Sequence, residues 1–210
     1  MANLTDLTSK EFLTELASAA PAPGGGGGAA MAGALAAALS SMVCNLTLGK
    51  ERFAAQAAEV GSVLVKAERA RERLLELVQE DAAVFNSFMS CYKLPKATDE
   101  EKAARTAAIR AAAKKAAEVP LAIARESFAV LKLADELVVC GNPGVITDGA
   151  CSGLLARAAL RCAEYNVRIN LGLTKDAEWN AQVQAELEAM LTQAEALEAK
   201  LLAVTDKALA

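Results

Sequence analysis

Between Glu15 and Lys50 no residue carries a charge. The gap opens with Pro21, Pro23 and the run Gly24 to Gly28, continues with mostly alanine, and closes with Ser40, Ser41, Asn45 and Thr47. So long an uncharged stretch is stable only when its apolar surface is removed from water, in protein or in lipid. A membrane-spanning helix needs about 20 consecutive apolar residues and interfacial anchors. Here prolines and glycines interrupt the first part, hydroxyl and amide side chains mark the last, and neither an aromatic belt nor an N-terminal basic flank is present. The segment reads as the buried core helix of a soluble protein, with no membrane role expected. Other helices must then surround it.

Helical periodicity fills the rest of the chain. A short first helix runs from about Ser9 to Ala19, with Ser9 as N-cap and Phe12, Leu13 and Leu16 on one face. Residues 21–28 form a loop. The uncharged helix follows to about Leu48, with Leu35, Leu39, Met42 and Leu46 as its apolar stripe and Gly49 as C-cap. A third helix spans about Arg52 to Cys91, where Leu74, Leu77, Asp81, Phe85 and Phe88 recur at spacings of three and four. Lys93 to Asp99 is a loop in which Thr98 caps the next helix. That fourth helix extends to Leu137, and Pro120 should kink or split it by removing a backbone donor and crowding the preceding turn. The turn Gly141-Asn142-Pro143-Gly144 leads to a fifth helix, from Thr147 or Asp148 to about Asn170. The last runs from Asp176 to Ala208, with Leu187, Met190, Leu191, Ala194, Leu197 and Leu201 as its seam. Strand signals are confined to residues 137–139 and 145–147. There is no internal repeat and no break in composition. The expected fold is all-α: one domain, residues 1–210, built as an up-and-down-like helical bundle of five to six helices. Its small-residue helix faces suit pairing with a second copy, as a homodimer.

Composition narrows the chemistry. With 210 residues, 54% hydrophobic and 23% charged, the chain can bury a sizeable core. A net charge of −4 and a pI near 5.1 argue against a surface that tracks nucleic-acid phosphates. Histidine is absent. This excludes a Ser-His-Asp triad, a Cys-His pair and any His-ligated metal. The cysteines, Cys44, Cys91, Cys140, Cys151 and Cys162, are odd in number and form no CxxC. They read as reduced thiols of a cytoplasmic protein, not as a disulfide framework or zinc knuckle. Asp6, Lys10 and Glu11 do not suit a signal peptide. Acid–base chemistry is left to carboxylates, Lys, Tyr, Cys or water.

Four constellations could carry it. A glycine run that opens a helix exposes backbone N–H groups and the positive end of the dipole, which suits an anion or the close approach of a substrate. It also suits a hinge or tight helix packing. There is no Gly-Lys-Ser/Thr ending and no preceding strand, so no Walker A loop or dinucleotide fingerprint. Asp81 lies on an apolar stripe, where partial desolvation raises a carboxyl pKa towards that of a general base. Alternatively, an inter-helix Lys or Arg neutralises it. At the Gly141 turn, Thr147 or Asp148 can cap the fifth helix, with Asn142 offering a donor and an acceptor beside them. Asn45, Thr47, Gly49 and Lys50 gather at a helix end, where Lys50 can simply offset the dipole. Asn166 and Asn170 form a weaker pair. Trp179 and Tyr165 read as packing residues.

Taken in order, Pro21-Ala-Pro-Gly-Gly-Gly-Gly, Ser41-Met-Val-Cys-Asn-Leu-Thr-Leu-Gly-Lys50, Leu94-Pro-Lys-Ala-Thr-Asp-Glu-Glu-Lys102, Gly141-Asn142 and Thr147-Asp148 resemble the cyclodeaminase/cyclohydrolase family of folate enzymes. The resemblance runs from about Leu7 to Leu201. It implies an all-helical homodimer that binds a small-molecule folate in a cleft edged by the glycine loop, without a metal or an organic cofactor. Pro23, Gly24, Gly25, Gly26 and Gly27, with Asn45, Asn142 and Thr147, would contact substrate. Two positions depart from the family: Gly27 and Thr147 stand where many members carry Ser, and only the second keeps a hydroxyl.

The implied reaction is hydrolysis of 5,10-methenyltetrahydrofolate to 10-formyltetrahydrofolate. Its electrophilic centre is an amidinium carbon, which a protein without histidine can serve. Asp81 or Asp148 could be the base, and Lys50 or Lys96 could orient water or assist proton transfer. A formiminotetrahydrofolate cyclodeaminase, releasing ammonia, is the alternative within the resemblance. The absence of a transferase segment in this sequence sets the hydrolase first. A non-catalytic helical interaction module is the alternative outside it.

Overall fold

Alanine has the highest helix propensity of all residues, and the uncharged stretch forms one unbroken helix, α2 (Gly25–Asn45). In the computed structural model, which describes residues 3–210, five other helices accompany it. They are α1 (Ser9–Leu16), α3 (Ala57–Cys91), α4 (Asp99–Cys140), α5 (Ile146–Thr174) and α6 (Ala177–Leu209). No strand forms among the described residues, so the all-α expectation holds. The residues that carry the scattered strand signals close α4 and open α5.

The wall of α2 that faces the core is not the expected one. Leu35, Met42 and Leu46 are 55%, 40% and 37% exposed, and Leu39 is half-buried. The inward face is instead Gly26, Gly27, Ala29, Ala30, Gly33, Ala34, Ala36, Ala37, Ser40 and Ser41, with Val43 and Cys44 near its end. Size decides this. α2 touches α3, α4 and α5 together, and only small side chains let four backbones come so close. A Cβ on Gly33 would stand 3.0 Å from Ser127 Oγ and 3.1 Å from Leu74 Cδ2. α2 is long and apolar enough to span a membrane, yet 61% of its most apolar window is buried within the bundle.

Local chemistry sets the helix ends. Thr8, not Ser9, caps α1: its hydroxyl accepts from the Glu11 N–H while the Glu11 carboxylate accepts from the Thr8 N–H. α1 ends at Leu16, and Leu13 faces solvent. Thr98 and Glu101 form the same reciprocal cap at α4, as the sequence predicts for Thr98. The expected glycine loop is shorter than drawn, because Gly25 to Gly28 form the first turn of α2 and Gly28 N–H donates to Gly24 O (2.9 Å). Gly49 takes a left-handed φ of 75° after the helix end. A separate 3-10 turn, Glu51–Gln56, precedes α3 because Phe53 leaves helical geometry (φ −115°, ψ 16°). Val145 stands at the N-cap of α5, so Thr147 and Asp148 lie within its first turn and cap nothing.

Pro120 does not split α4. It removes the N–H that would serve the Ala116 carbonyl, and Asn170 of α5 supplies the missing donor through Nδ2 (3.1 Å). α4 packs most extensively on α5. α6 covers both through Leu187, Met190, Leu191, Ala194 and Leu201, all buried. At its far end a Cβ on Gly153 would overlap Leu201. Trp179 packs against the core under Lys114, but Tyr165 is 60% exposed and is not a core residue.

Asn142 ties the α4–α5 turn to the end of α2. Its Nδ2 donates to Leu46 O (3.0 Å), its Oδ1 accepts from Gly144 N (3.0 Å), and its own N–H donates to Thr47 Oγ1 (2.9 Å). Asn142→Ala removes both of these side-chain bonds from a buried residue. It is expected to cost about 1–3 kcal/mol of stability, read as a lower urea midpoint with an unchanged slope.

Candidate functional site

Four helices meet around a cavity of about 280 Å³. The loop residues Pro21 and Ala22 and the first turn of α2 (Gly25 and Gly26) form one side. Asp81, Val84, Phe85 and Phe88 come from α3, Ala116, Val119 and Pro120 from α4, and Asn166, Ile169, Asn170 and Leu173 from α5. The volume lies near the lower end of the range for small-molecule sites, about 300–1,000 Å³. It suits one fused ring system, with any long substituent continuing outside. Phe85, Leu173 and Ile169 at the mouth are 37%, 38% and 71% exposed.

The expected stripe on α3 explains the placement of Asp81. Leu74 and Leu77 are fully buried and Phe88 nearly so, which fixes the rotation of the helix. Asp81 on that face then points at the beginning of α2 and is half-buried. Its carboxylate accepts a hydrogen bond from the Gly27 N–H, which holds the proton affinity down. Burial outweighs this and raises the carboxyl above the ordinary Asp value of 3.8. Among the described residues no lysine or arginine forms an ion pair with it, so an inter-helix neutralisation of Asp81 is not seen.

The carboxylate occupies the space a side chain at residue 26 would need. A Cβ there would overlap Asp81 Oδ1 and stand 2.6 Å from its Cγ and 2.8 Å from Oδ2. At Gly25 the neighbour is the Asn166 amide, 3.4 Å from such a Cβ, and at Gly27 it is Pro23 Cβ, also at 3.4 Å. Gly28 has only Leu16 Cδ2, at 4.0 Å. One turn of helix therefore meets a carboxylate, an amide and a proline ring, with the Gly27 N–H turned to the Asp81 carboxylate.

Two asparagines complete the polar lining. Asn166 Nδ2 donates to Cys162 O (2.8 Å), and Asn170 Nδ2 donates both to Asn166 O (2.8 Å) and to Ala116 O (3.1 Å). The sequence does not mark the apolar walls Val84, Val119, Ile169 and Leu173. Nothing in their type distinguishes them from other core-facing residues, and only the packing of α3, α4 and α5 brings them together.

Of the residues expected at the site, Gly24, Gly25, Gly26 and Asp81 line this cavity, and Pro23 and Gly27 adjoin it. The others stand elsewhere in the chain. Asn45 ends α2, about 30 Å from Gly25 along the helix axis. Lys50 follows it, exposed. Asn142, Thr147 and half-buried Asp148 lie at that same end, since Asn142 bonds to Leu46 and Thr47. Lys96 is exposed in the α3–α4 connection, and Asp81 to Cys91 alone covers about 15 Å of helix.

Comparison with known proteins adds to this geometry. The family profile described as formiminotransferase-cyclodeaminase matches residues 8–189. A methenyltetrahydrofolate cyclohydrolase of Methylorubrum extorquens is 44% identical over 90% of this chain and 91% of its own length. The formimidoyltransferase-cyclodeaminases of pig and rat are 33% and 30% identical over 88% and 91% of this chain. The chain spans about a third of those proteins (34% and 36%). The crystal structure of a formiminotetrahydrofolate cyclodeaminase from Thermotoga maritima superposes with a TM-score of 0.88, at 27% identity, over 99% of this chain and 100% of that one.

Proposed function

The chain belongs to the formiminotransferase-cyclodeaminase family, and from that premise we propose that it is a methenyltetrahydrofolate cyclohydrolase, converting 5,10-methenyltetrahydrofolate to 10-formyltetrahydrofolate. The 44% identity to a cyclohydrolase over 90% of the chain carries the reading. The cavity supports it: an amidinium ring is cationic, and the polar side chains here are a carboxylate without a basic partner and two amides.

In this reading Asp81 is the general base. Water adds to the carbon between N5 and N10, and Asp81 takes a proton from it, leaving a neutral carbinolamine. The protonated carboxyl then returns a proton to N5 as the carbon–N5 bond breaks. The carbinolamine hydroxyl loses its proton as the formyl group forms on N10. One water is consumed, and one proton leaves to solvent, balancing the positive charge of the substrate. Loss of the amidinium absorbance above the spontaneous rate, in a non-nucleophilic buffer, tests the activity directly. Ammonia release from 5-formimino-tetrahydrofolate tests a second reading, favoured by the likeness to the Thermotoga cyclodeaminase. Both reactions involve the same methenyl compound.

The proposal includes a cytoplasmic homodimer. The large apolar side chains that α2 turns outward, Leu35, Met42 and Leu46, supply its contact. Asn45, Lys50, Asn142, Thr147 and Asp148 share one end of α2, and the glycine turn sits at the other. A second chain lying antiparallel along α2 would carry those five residues towards the cavity, making Lys50 and Asp148 partner contributions. Under this arrangement, Asp81→Asn and Lys50→Ala chains are each impaired alone. Exchanged together, they are expected to regain about a quarter of wild-type activity, because half of the dimers are mixed and each mixed dimer has one intact site. A mixture no more active than its components rejects the shared site, and light scattering at the monomer mass rejects the dimer.

A further inference from the structure

The orientation of two side-chain amides at the cavity is fixed by what they face. A backbone carbonyl can only accept, so the amide nitrogen and not the oxygen must meet Cys162 O, Asn166 O and Ala116 O. Asn166 and Asn170 use nitrogen in all three bonds. Among the described residues no donor bonds to their oxygens, and the two residues line the cavity one helical turn apart. Both N–H groups of Asn170 are committed, so towards a ligand it can only accept. Asp81, across the glycine turn, accepts as well. The lining is thus rich in acceptors, and it matches a ring whose edge is rich in N–H donors.

We propose that Asn166 and Asn170 form an acceptor pair that selects the substrate by the N–H donors of its fused ring, including the exocyclic amino group. This rests on the folate reading above and deepens it, for it names the part of the molecule held within the cavity. The amidinium carbon then lies towards Asp81 and the glycine turn, and the aryl-glutamate portion passes out between Phe85, Ile169 and Leu173.

The probe is 5,10-methenyltetrahydrofolate compared with its 2-desamino analogue, which keeps the reacting carbon and lacks the exocyclic donors. Wild type is expected to favour the amino compound in kcat/KM by at least about tenfold, the value of one or two hydrogen bonds. In Asn166→Ala, whose lost amide bonds only within its own helix, the preference is expected to fall at least about fivefold. KM should rise while kcat stays within about threefold, and Asn166→Asp, which keeps an acceptor, should retain the preference. Asn170→Ala is expected to lose preference too, with some loss of stability because it also strips the Ala116 carbonyl of its donor. A preference unchanged from wild type in both alanine variants overturns the acceptor role. Wild-type inactivity on the amino compound itself would instead count against the folate reading.

Discussion

Asp81→Asn is expected to turn over 5,10-methenyltetrahydrofolate at least about tenfold more slowly than wild type, and up to about 10⁴-fold if the base supplies its full share. The far-UV circular dichroism should be unchanged. The amide is nearly isosteric, and its oxygen can still accept from the Gly27 N–H, so the packing against Gly26 survives. What it cannot do is take a proton from water. Two pH signatures separate this from a loss of shape. Burial holds the Asp81 carboxyl above 3.8, so the acidic limb of the wild-type kcat/KM profile should fall above the ordinary Asp range and be absent in the variant. Stability should move the other way. A carboxyl whose folded pKa is raised keeps its proton longer in the folded chain than in the unfolded one. Stability therefore drops as pH rises from the ordinary Asp value through the raised one, and stays lower beyond it. Asp81→Asn escapes that penalty. It should melt at a higher temperature than wild type at pH 7, with the gap closing as the pH approaches 3. Near-wild-type turnover would remove Asp81 from the chemistry.

Gly26→Ala should be nearly as damaging, through geometry alone. The new methyl would occupy the place of Asp81 Oδ1, and either the carboxylate rotates away from the Gly27 N–H or the α2–α3 spacing opens. A loss of at least about tenfold in kcat/KM is expected, because misplacing a reacting group by about 1 Å can cost 10²-fold. The control is two residues away. A Cβ on Gly28 meets only Leu16 Cδ2 at 4.0 Å, and the backbone there is helical. Gly28→Ala should keep wild-type kinetics and gain about 0.5–1 kcal/mol of stability by restricting the unfolded chain. Equal kinetics in the two variants would mean that the glycine run serves flexibility and not the seating of Asp81.

The contrast between those glycines shows what a linear reading can and cannot reach. The sequence marks Gly24 to Gly28 as a unit, because composition sees only the run. Separating Gly26 from Gly28 requires knowing what α3 brings opposite each. Asp81 is legible as a cavity residue because a carboxylate on the Leu74–Leu77–Phe88 face has few places to go. The stripe on α2 misleads for the converse reason. Periodicity finds the large apolar side chains, but a helix enclosed by three others puts its smallest ones inward. Thr98 is legible as a cap, while Thr8 and Ser9 are adjacent hydroxyls that only the Glu11 carboxylate tells apart. Pro120 signals the lost backbone donor correctly, but α4 is not split there, since a replacement donor comes from Asn170, fifty residues later in the chain.

That substitution of a side chain for a backbone donor has a kinetic consequence. Through Asn170, α4 and α5 are latched at a set distance across the cavity before anything enters it. A ligand meets a vessel that is already preorganised, so its ordering cost is small. Association should then be limited by encounter and by shedding of water, with no slow opening step ahead of it. Rapid mixing should show a single phase whose rate keeps rising in proportion to ligand concentration.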